Sequence, residues 1–272
     1  MKLFLLRHAG WADSIALAFV VAALGGALAG WWRVHFNAIG WVLFPVGGVW
    51  LFNSWASWQR EQLIREGPLP QFLKRKLRET YPHLSGKDAE LVERGLRQYV
   101  MACKRSKRQF VAMPSRAVDA LWHEFILNTE AYKNWCQLSL GRFLHHTPAE
   151  VLGRKAASND GLRRAWYWAC KDEAIDPRKP SRLPLLFALD GKLGIEGGFT
   201  YVPDCSGAAR RTDRHKDGDA GSAAYCGGSF SDGSASGDTG DFGGAESSGG
   251  GDDGGGSGDG GGDGGGGCGG GD

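Results

Sequence analysis

Three of the seven histidines fall within one short stretch, residues 113–148, together with several acidic side chains. Asp119 and His123 are four residues apart, so on a helix they occupy neighbouring positions of one face. His145 and His146 follow as an adjacent pair. Imidazoles combined with a carboxylate are ligands for zinc or another divalent ion. We therefore predict a metal site made of Asp119, His123, His145 and His146.

Two other interpretations of these residues stay open. His123 could simply form a hydrogen bond with Asp119 at the edge of the core, and adjacent histidines seldom bind one ion because neighbouring side chains diverge. Cys136 paired with a histidine would instead indicate a thiol hydrolase. A single cysteine in an apolar helix is more typical of a core residue. The sequence contains no P-loop, no dinucleotide-binding glycine pattern and no serine-hydrolase motif.

The elements around these residues are predicted to be helices. The spacing of Ser85 and Asp88 is typical of a capping box that opens a helix through about residue 104. Apolar residues at helical spacing predict a second helix over about 115–138. Further helices are expected from Thr147, over about 161–174 and over about 185–192. No convincing strand alternation is present, so we predict an all-α domain.

The motifs in this stretch resemble a known family. The segments VDALWHEFILNTEAY and FLHHTP, and the later PLLFALDGKLGI ending at YVPDC, are similar to bacterial relatives of the glycine-rich domain proteins of plants and fungi. The resemblance covers about half of the chain. It implies that Asp119, His123, His145 and His146 are among the family-defining positions, and it implies no reaction because the family's function is not established.

Charge is separated along the chain. Residues 56–216 carry 29 Lys and Arg against 18 Asp and Glu, whereas 217–272 carry 11 acidic residues and no Lys or Arg. The six cysteines form no CxxC pair, so the sequence predicts neither a zinc ribbon nor a redox motif. Isolated thiols are typical of a reducing compartment. The Gly-, Ser- and Asp-rich segment 206–272 is predicted to be disordered.

Two apolar runs near the N-terminus predict a transmembrane hairpin. Residues 14–32 and 38–56 are each about long enough to cross a bilayer, and tryptophans lie at their ends. Positive charges before the first run and after the second place both termini in the cytoplasm. An alternative makes the first run a signal peptide cleaved after residues 27–29. A lipid bilayer is thus the expected partner of residues 14–56.

Together these observations predict a multi-pass protein of a bacterial inner membrane, with its main domain in the cytoplasm. The predicted domains are 1–58, two transmembrane helices; 59–205, a helical domain; and 206–272, a disordered tail. The leading functional hypothesis is a non-enzymatic interaction or scaffold module that binds a protein partner. The alternative is a metal-dependent enzyme, hydrolase-like, that uses Asp119, His123, His145 and His146.

Two basic clusters allow further partners. Lys74, Arg75, Lys76 and Arg78 are predicted to contact anionic lipid. Nucleic-acid binding through this cluster and residues 104–108 is a third option. It is disfavoured because the chain supplies its own acidic partner in the tail.

Overall fold

The computed structural model describes residues 6, 10–29, 36–147, 157–203, 225–227, 230 and 244–246. The helices in this part of the chain are α1 (Gly10–Leu28), α2 (Phe36–Glu66), α3 (Phe72–Thr80), α4 (Gly86–Arg105), α5 (Arg116–Leu127), α6 (Thr129–Ser139), α7 (Ala157–Asp172) and α8 (Leu185–Leu193). The strands are β1 (Val111–Ala112), β2 (His145–Thr147), β3 (Tyr201–Val202), β4 (Tyr225–Cys226) and β5 (Gly244–Glu246).

Helix α4 is the centre of the domain and contacts α2, α3, α5, α7 and α8. It begins with the predicted capping box, in which Ser85 and Asp88 exchange side-chain and backbone hydrogen bonds. Its apolar residues recur at helical spacing and are buried. Gly95 lets α5 and α8 approach closely, because a Cβ there would lie 2.4 Å from Leu189 and 2.9 Å from Val118.

The predicted helix 115–138 is divided into two helices at Asn128. The Asn128 side chain accepts a hydrogen bond from the backbone N–H of Ala131 and so caps α6. Asparagine is a favoured N-cap residue because its side chain competes with the backbone for such donors. The break turns α6 relative to α5. This turn lets the chain after α6 return toward α5.

Short strands make the domain mostly helical but not all-α, so the all-α prediction is wrong on this point. Strand β5 lies between β1 and β2 and is antiparallel to both. Strands β3 and β4 form a separate parallel pair. Each strand has only two or three residues. Alternation over so few residues gives no detectable sequence signal, since strands are recognised over runs of four to eight.

The predicted transmembrane hairpin is contradicted. Among the described residues, no helix is both long and apolar enough to cross a membrane.

Helix α2 also differs from the predicted second span. It continues past the apolar residues to Glu66, and its last two turns contact the helical domain. Glu61 forms ion pairs with Lys104 and Arg105, and Arg65 forms one with Asp172. The predicted multi-pass location in a bacterial inner membrane, with a cytoplasmic main domain, is contradicted by the same finding.

Two pieces of the glycine-rich segment are described, and both contact the domain. Tyr225 pairs with Tyr201 in the β3–β4 sheet, and Phe230 is buried against Trp166 and Phe187. Strand β5 adds the second contact. Most of the predicted disordered tail, 206–272, lies outside the described residues, as does the predicted helix after Thr147 up to residue 156.

Candidate metal centre

The N-terminus of helix α5 is held by a buried carboxylate. The Ser115 hydroxyl caps the helix by accepting a hydrogen bond from Val118 N. Asp190, on α8, is almost fully buried and accepts hydrogen bonds from Ser115 Oγ, Arg116 N, Ala117 N and Phe199 N. A carboxylate at a helix N-terminus satisfies free N–H groups and opposes the positive end of the helix dipole. The orientation of α5 is therefore fixed against α8.

Helix α5 presents Asp119 and His123 on one edge, as their spacing predicts. Val118, Leu121 and Trp122 are buried against the core. The side chains of Asp119 and His123 are 31% and 51% exposed, and His123 Nε2 lies 3.8 Å from Asp119 Oδ2. Both groups therefore face outward from the core boundary and are accessible to a ligand.

His146 reaches this edge from strand β2. Its Nε2 atom lies 2.9 Å from His123 Nε2 and 3.3 Å from Asp119 Oδ1. The side chain of His146 is only 14% exposed. The three ligand atoms of Asp119, His123 and His146 thus converge on one point, within 4.8 Å of one another.

A buried hydrogen-bond chain positions His146. Trp122 Nε1 donates to the hydroxyl of Tyr132, which donates to the backbone oxygen of Leu144, two residues before His146. The Trp122 ring also packs edge-on against the His146 ring, with centroids 4.8 Å apart. Trp122, Tyr132 and Leu144 are all fully buried. The imidazole is therefore held by groups with no freedom to move toward solvent.

The three converging atoms are electron-rich, and this limits what can satisfy them. A neutral imidazole carries one N–H, so a proton on His146 Nε2 can satisfy only one of its two neighbours well. A proton on His123 Nε2 would leave the lone pair of His146 Nε2 facing the carboxylate of Asp119. A cation placed between the three atoms removes this conflict.

The distances fit a metal ion. Two ligands about 2.1 Å from one ion lie about 3.4 Å apart at a tetrahedral angle and about 3.0 Å apart at a right angle. His146 Nε2 lies at such distances from His123 Nε2, 2.9 Å, and from Asp119 Oδ1, 3.3 Å. His123 Nε2 lies 3.8 Å from the other carboxylate oxygen, Asp119 Oδ2, which is somewhat longer. Three protein ligands leave at least one coordination position open, which is typical of catalytic rather than structural zinc sites. Two histidines and a carboxylate also form the facial set that holds iron(II) in many enzymes.

Comparison with known protein families assigns most of the chain to one family. The family model described as UCP032817-like matches residues 59–230, well over half of the chain. The chain belongs to the UCP032817-like family. No curated protein and no solved structure matches it. The family is uncharacterised, so the match adds no reaction. The family region includes all three residues of the candidate site and extends past the predicted domain end at Cys205.

The structure brings three of the four predicted ligands together in this family domain. His145 is exposed and its ring packs beside Phe143, 4.7 Å between centroids, away from the cluster. Adjacent residues of a strand point to opposite sides, so only one of the pair can reach Asp119. Glu130, also acidic and close in sequence, lies in a separate surface depression beside Leu127.

Cys136 is not a nucleophile in this arrangement. The residue is fully buried, and burial raises the pKa of its thiol to about 11. Burial likewise raises the pKa of the buried Cys103 and Cys170 thiols to about 12. Thiols with such pKa values are protonated and unreactive near neutral pH. The alternative of a Cys136/histidine dyad therefore has no chemical basis here.

The basic clusters are largely engaged within the domain. Lys74 lies 3.0 Å from Glu93, and Lys76 lies 2.8 Å from Glu79. In the second cluster, Lys104 and Arg105 pair with Glu61. Paired cations contribute less to binding an external anion, because the internal partner must be displaced.

Sequence reasoning missed the residues that support the site. Asp190 appeared only as part of the motif PLLFALDGKLGI, and its role at the start of α5 was not predicted. Tyr132 appeared only as the last residue of the motif VDALWHEFILNTEAY, and its hydrogen bonds were not predicted. Both contacts join positions far apart in the chain, 75 and 12 residues for the Ser115–Asp190 and Tyr132–Leu144 pairs. The only available signal was a carboxylate within an otherwise apolar helix.

Proposed function

We propose that this domain binds a divalent transition-metal ion through Asp119, His123 and His146, and that it is a metal-dependent enzyme with hydrolase-like chemistry. The observation that supports this most directly is the convergence of His123 Nε2, His146 Nε2 and the Asp119 carboxylate. Borderline-soft ions such as zinc prefer this ligand set. Such an ion, when bound, polarises a carbonyl or phosphoryl oxygen and acidifies water.

The residues around the proposed ion have three separate roles: charge compensation, positioning of a ligand and access for substrate. Asp119 supplies negative charge that offsets part of the charge of the ion. The Trp122–Tyr132 chain holds His146, and such supporting contacts typically change metal affinity by 10- to 100-fold. The exposed side of His123 leaves room for water and substrate to approach.

The test is metal stoichiometry in the full chain, prepared without an affinity tag that binds metal. Elemental analysis and zinc titration are compared for the parent and for His123→Ala and His146→Ala variants. The matched control is His145→Ala, which removes the same side chain one residue away and outside the cluster. We expect about one ion per chain in the parent and in the control, and loss of the ion in the other two variants.

Two outcomes would contradict the proposal. The first is no stoichiometric binding of zinc, iron(II), cobalt(II) or manganese(II) by the parent. The second is equal loss in the His145→Ala control. Circular dichroism and the midpoint of thermal unfolding show whether the variants are folded; if the two alanine variants unfold, Asp119→Asn replaces them, and full metal binding by folded Asp119→Asn would contradict the assignment of Asp119.

An interaction or scaffold role remains the second candidate. It is favoured by large apolar side chains on the outer surface of the two N-terminal helices, including Leu17, Trp50 and Leu51, each more than 60% exposed. Clustered exposed apolar residues are typical of interaction surfaces. Light scattering of the full chain tests this role as self-association. A monomer whose mass and solubility do not change on Trp50→Ser and Leu51→Ser substitution would count against it.

Three further proposals rest on the sequence. The kinship with glycine-rich domain proteins and a bacterial source is supported by the motifs alone. Binding of an unidentified protein partner follows from the scaffold role. Contact of Lys74, Arg75, Lys76 and Arg78 with anionic lipid is supported by their charge, and it is weakened by the ion pairs of Lys74 and Lys76.

A further inference from the structure

A cavity of about 640 Å³ lies beside helix α4, between α8, the end of α7 and the end of α2. Leu91, Arg94, Gln98 and Met101 line it from α4, at spacings of three and four residues that place them on one face. Gly95, on a neighbouring face of α4, packs on Val118 of α5 and Leu189 of α8. None of the residues that line the cavity belongs to the candidate metal centre, so the two sites are separate. Its volume is within the usual range for small-molecule sites.

The lining is strongly positive. Five cationic side chains surround the cavity: Arg65, Arg94, Arg97, Arg182 and Lys192. Two carboxylates, Asp172 and Glu173, are the acidic members of the lining. The formal charge of the lining is therefore +3. An enclosed site of one charge sign attracts ligands of the opposite sign.

Both carboxylates already have partners. Asp172 Oδ1 lies 2.6 Å from Arg65 Nη2. Glu173 accepts hydrogen bonds from Arg182, Gln98 Nε2 and Leu185 N. These contacts hold the two acids at the wall of the cavity and neutralise two of the cations there.

Two cations at the rim are left available. Within the described part of the chain, neither Arg94 nor Lys192 forms an ion pair within 4.0 Å or a hydrogen bond through its side chain, and both are exposed. Arg97 is held at the wall by Glu93 and by the backbone oxygen of Ile64. The guanidinium of Arg94 and the ammonium of Lys192 are therefore available to an external anion. Lys192 helps to lower the pKa of the Asp88 carboxyl but forms no ion pair with it within 4.0 Å.

The floor of the cavity is apolar. Leu91, Met101, Leu183, Leu185 and Ala188 form it, and Met101 is only 2% exposed. Methionine adapts its shape to irregular apolar ligands. A purely ionic ligand such as phosphate would leave this surface unused. A ligand with an anionic head and an apolar body would remove this surface from water, which favours binding.

We propose that this cavity binds an amphipathic anion, that is, a carboxylate or phosphate group attached to an acyl or aromatic body. Arg94 and Lys192 bind the head group at the rim, and the apolar floor accommodates the body. The site does not depend on the proposed metal centre, because the cavity lining includes none of the three metal-centre residues.

Isothermal titration of the full chain with octyl phosphate and with octanoate tests the site. Octanol, which lacks the charge, and inorganic phosphate, which lacks the apolar body, are the ligand controls. The protein variant is Arg94→Gln/Lys192→Gln. The matched control is Arg75→Gln/Lys87→Gln, which removes one exposed Arg and one exposed Lys elsewhere on the domain.

We expect saturable binding of at least one amphipathic anion, binding weakened at least tenfold in Arg94→Gln/Lys192→Gln, and unchanged binding in the control variant. Both neutral octanol and inorganic phosphate are expected to bind at least tenfold more weakly. A His123→Ala variant should bind the anion as the parent does. Absence of saturable binding of both anions overturns the proposal, and so does equal binding by the Arg94/Lys192 variant. Inorganic phosphate binding as tightly as octyl phosphate overturns the assignment of the apolar floor.

Discussion

Asp190 shows how one buried side chain determines the placement of the site. Its Oδ1 atom accepts from Ser115 Oγ and Ala117 N, and its Oδ2 atom accepts from Arg116 N and Phe199 N. Each oxygen therefore faces two donors. In Asp190→Asn, either orientation of the amide places an NH₂ group against N–H or O–H donors. The carboxylate cannot be replaced by its closest analogue without leaving buried donors unsatisfied.

We expect Asp190→Asn to lower the free energy of unfolding by about 2–4 kcal/mol, because buried polar groups lose their partners. Urea unfolding followed by tryptophan fluorescence measures the change. Asp160→Asn, an exposed carboxylate on α7, is the control and should change stability by less than about 0.5 kcal/mol. A loss for Asp190→Asn no larger than that of the control would show that the four hydrogen bonds contribute little.

The three buried thiols provide a second test at this scale. Burial raises the pKa of Cys136 to about 11 and that of Cys103 and Cys170 to about 12. We expect these three cysteines to resist alkylation by iodoacetamide at pH 8 in the native chain and to react fully in denaturant. Peptide mapping by mass spectrometry separates them from the other cysteines. Rapid native labelling of Cys136 would restore the thiol-hydrolase alternative.

At the scale of elements, the site depends on how the end of α6 is joined to β2. Tyr132, on α6, links Trp122 of α5 to Leu144, just before β2. The Tyr132 hydroxyl thus connects the three elements that carry or support the ligands. Removing the Tyr132 hydroxyl should disturb the position of the His146 ring, although all three ligand side chains are still present.

We expect Tyr132→Phe to weaken metal binding by about 10-fold or more, with zinc still bound at about one ion per chain. Competition with a chromophoric chelator measures the affinity. Ser139→Ala, which removes another buried hydroxyl on α6 that donates to Trp135 O, is the control for a general loss of stability. Equal weakening in both variants would indicate destabilisation of α6 and not a positioning role for Tyr132.

Glu173 joins α7 to α8 and α4, and its titration gives a pH-dependent prediction. Burial by itself raises the pKa of this carboxyl, but hydrogen bonds from Leu185 N, Gln98 and Arg182 lower it below the ordinary value of 4.5. A carboxyl with a lowered pKa in the folded state contributes stability above its unfolded pKa. That contribution is lost as the pH falls through the folded pKa.

We expect Glu173→Gln to be less stable than the parent at pH 7, because the charged hydrogen bonds are lost. The difference in the free energy of unfolding should begin to shrink near pH 4.5, where the carboxyl of the unfolded chain takes up a proton, and should continue to shrink as the pH falls through the lower pKa of the folded state. Urea unfolding at pH 7, 5 and 3.5 measures it. A constant difference over this range would mean that the titration of Glu173 is not coupled to folding.

For the whole molecule, the glycine-rich segment is part of the sheet that carries a ligand. Ala245 of β5 is opposite both Val111 of β1 and His146 of β2. Strand β5 therefore lies between β1 and β2 and holds β2 in place, although it comes much later in the sequence. Small residues suit a strand that must fit between two others.

We expect Ala245→Pro to weaken zinc binding and lower the midpoint of thermal unfolding, because proline removes an N–H donor from a central strand. Ala235→Pro, in the same segment but outside the described strand, should change neither. Zinc titration and differential scanning calorimetry of the full chain make the comparison. Unchanged zinc affinity in Ala245→Pro would show that β2 holds His146 without β5.

Much of the domain was predictable because its signals are local. The capping box at Ser85, the helical periodicity of α4, and the Asp119–His123 pair each depend on residues within one or two turns. The sequence also predicted a site of Asp119, His123, His145 and His146, and the structure brings Asp119, His123 and His146 of this set together. The predicted transmembrane hairpin was wrong, since no helix among the described residues is both long and apolar enough to cross a membrane.

By itself, then, the sequence determined the helical periods, their caps and the residue types able to bind a metal ion. Tertiary structure decided which of the two adjacent histidines faces Asp119, because that depends on how β2 is oriented by Leu144 and β5. It also decided that Asp190 supports α5, and that five cations surround one cavity. Each of these arrangements brings together residues that are far apart in the chain. Local residue spacing does not encode the tertiary packing that makes them neighbours.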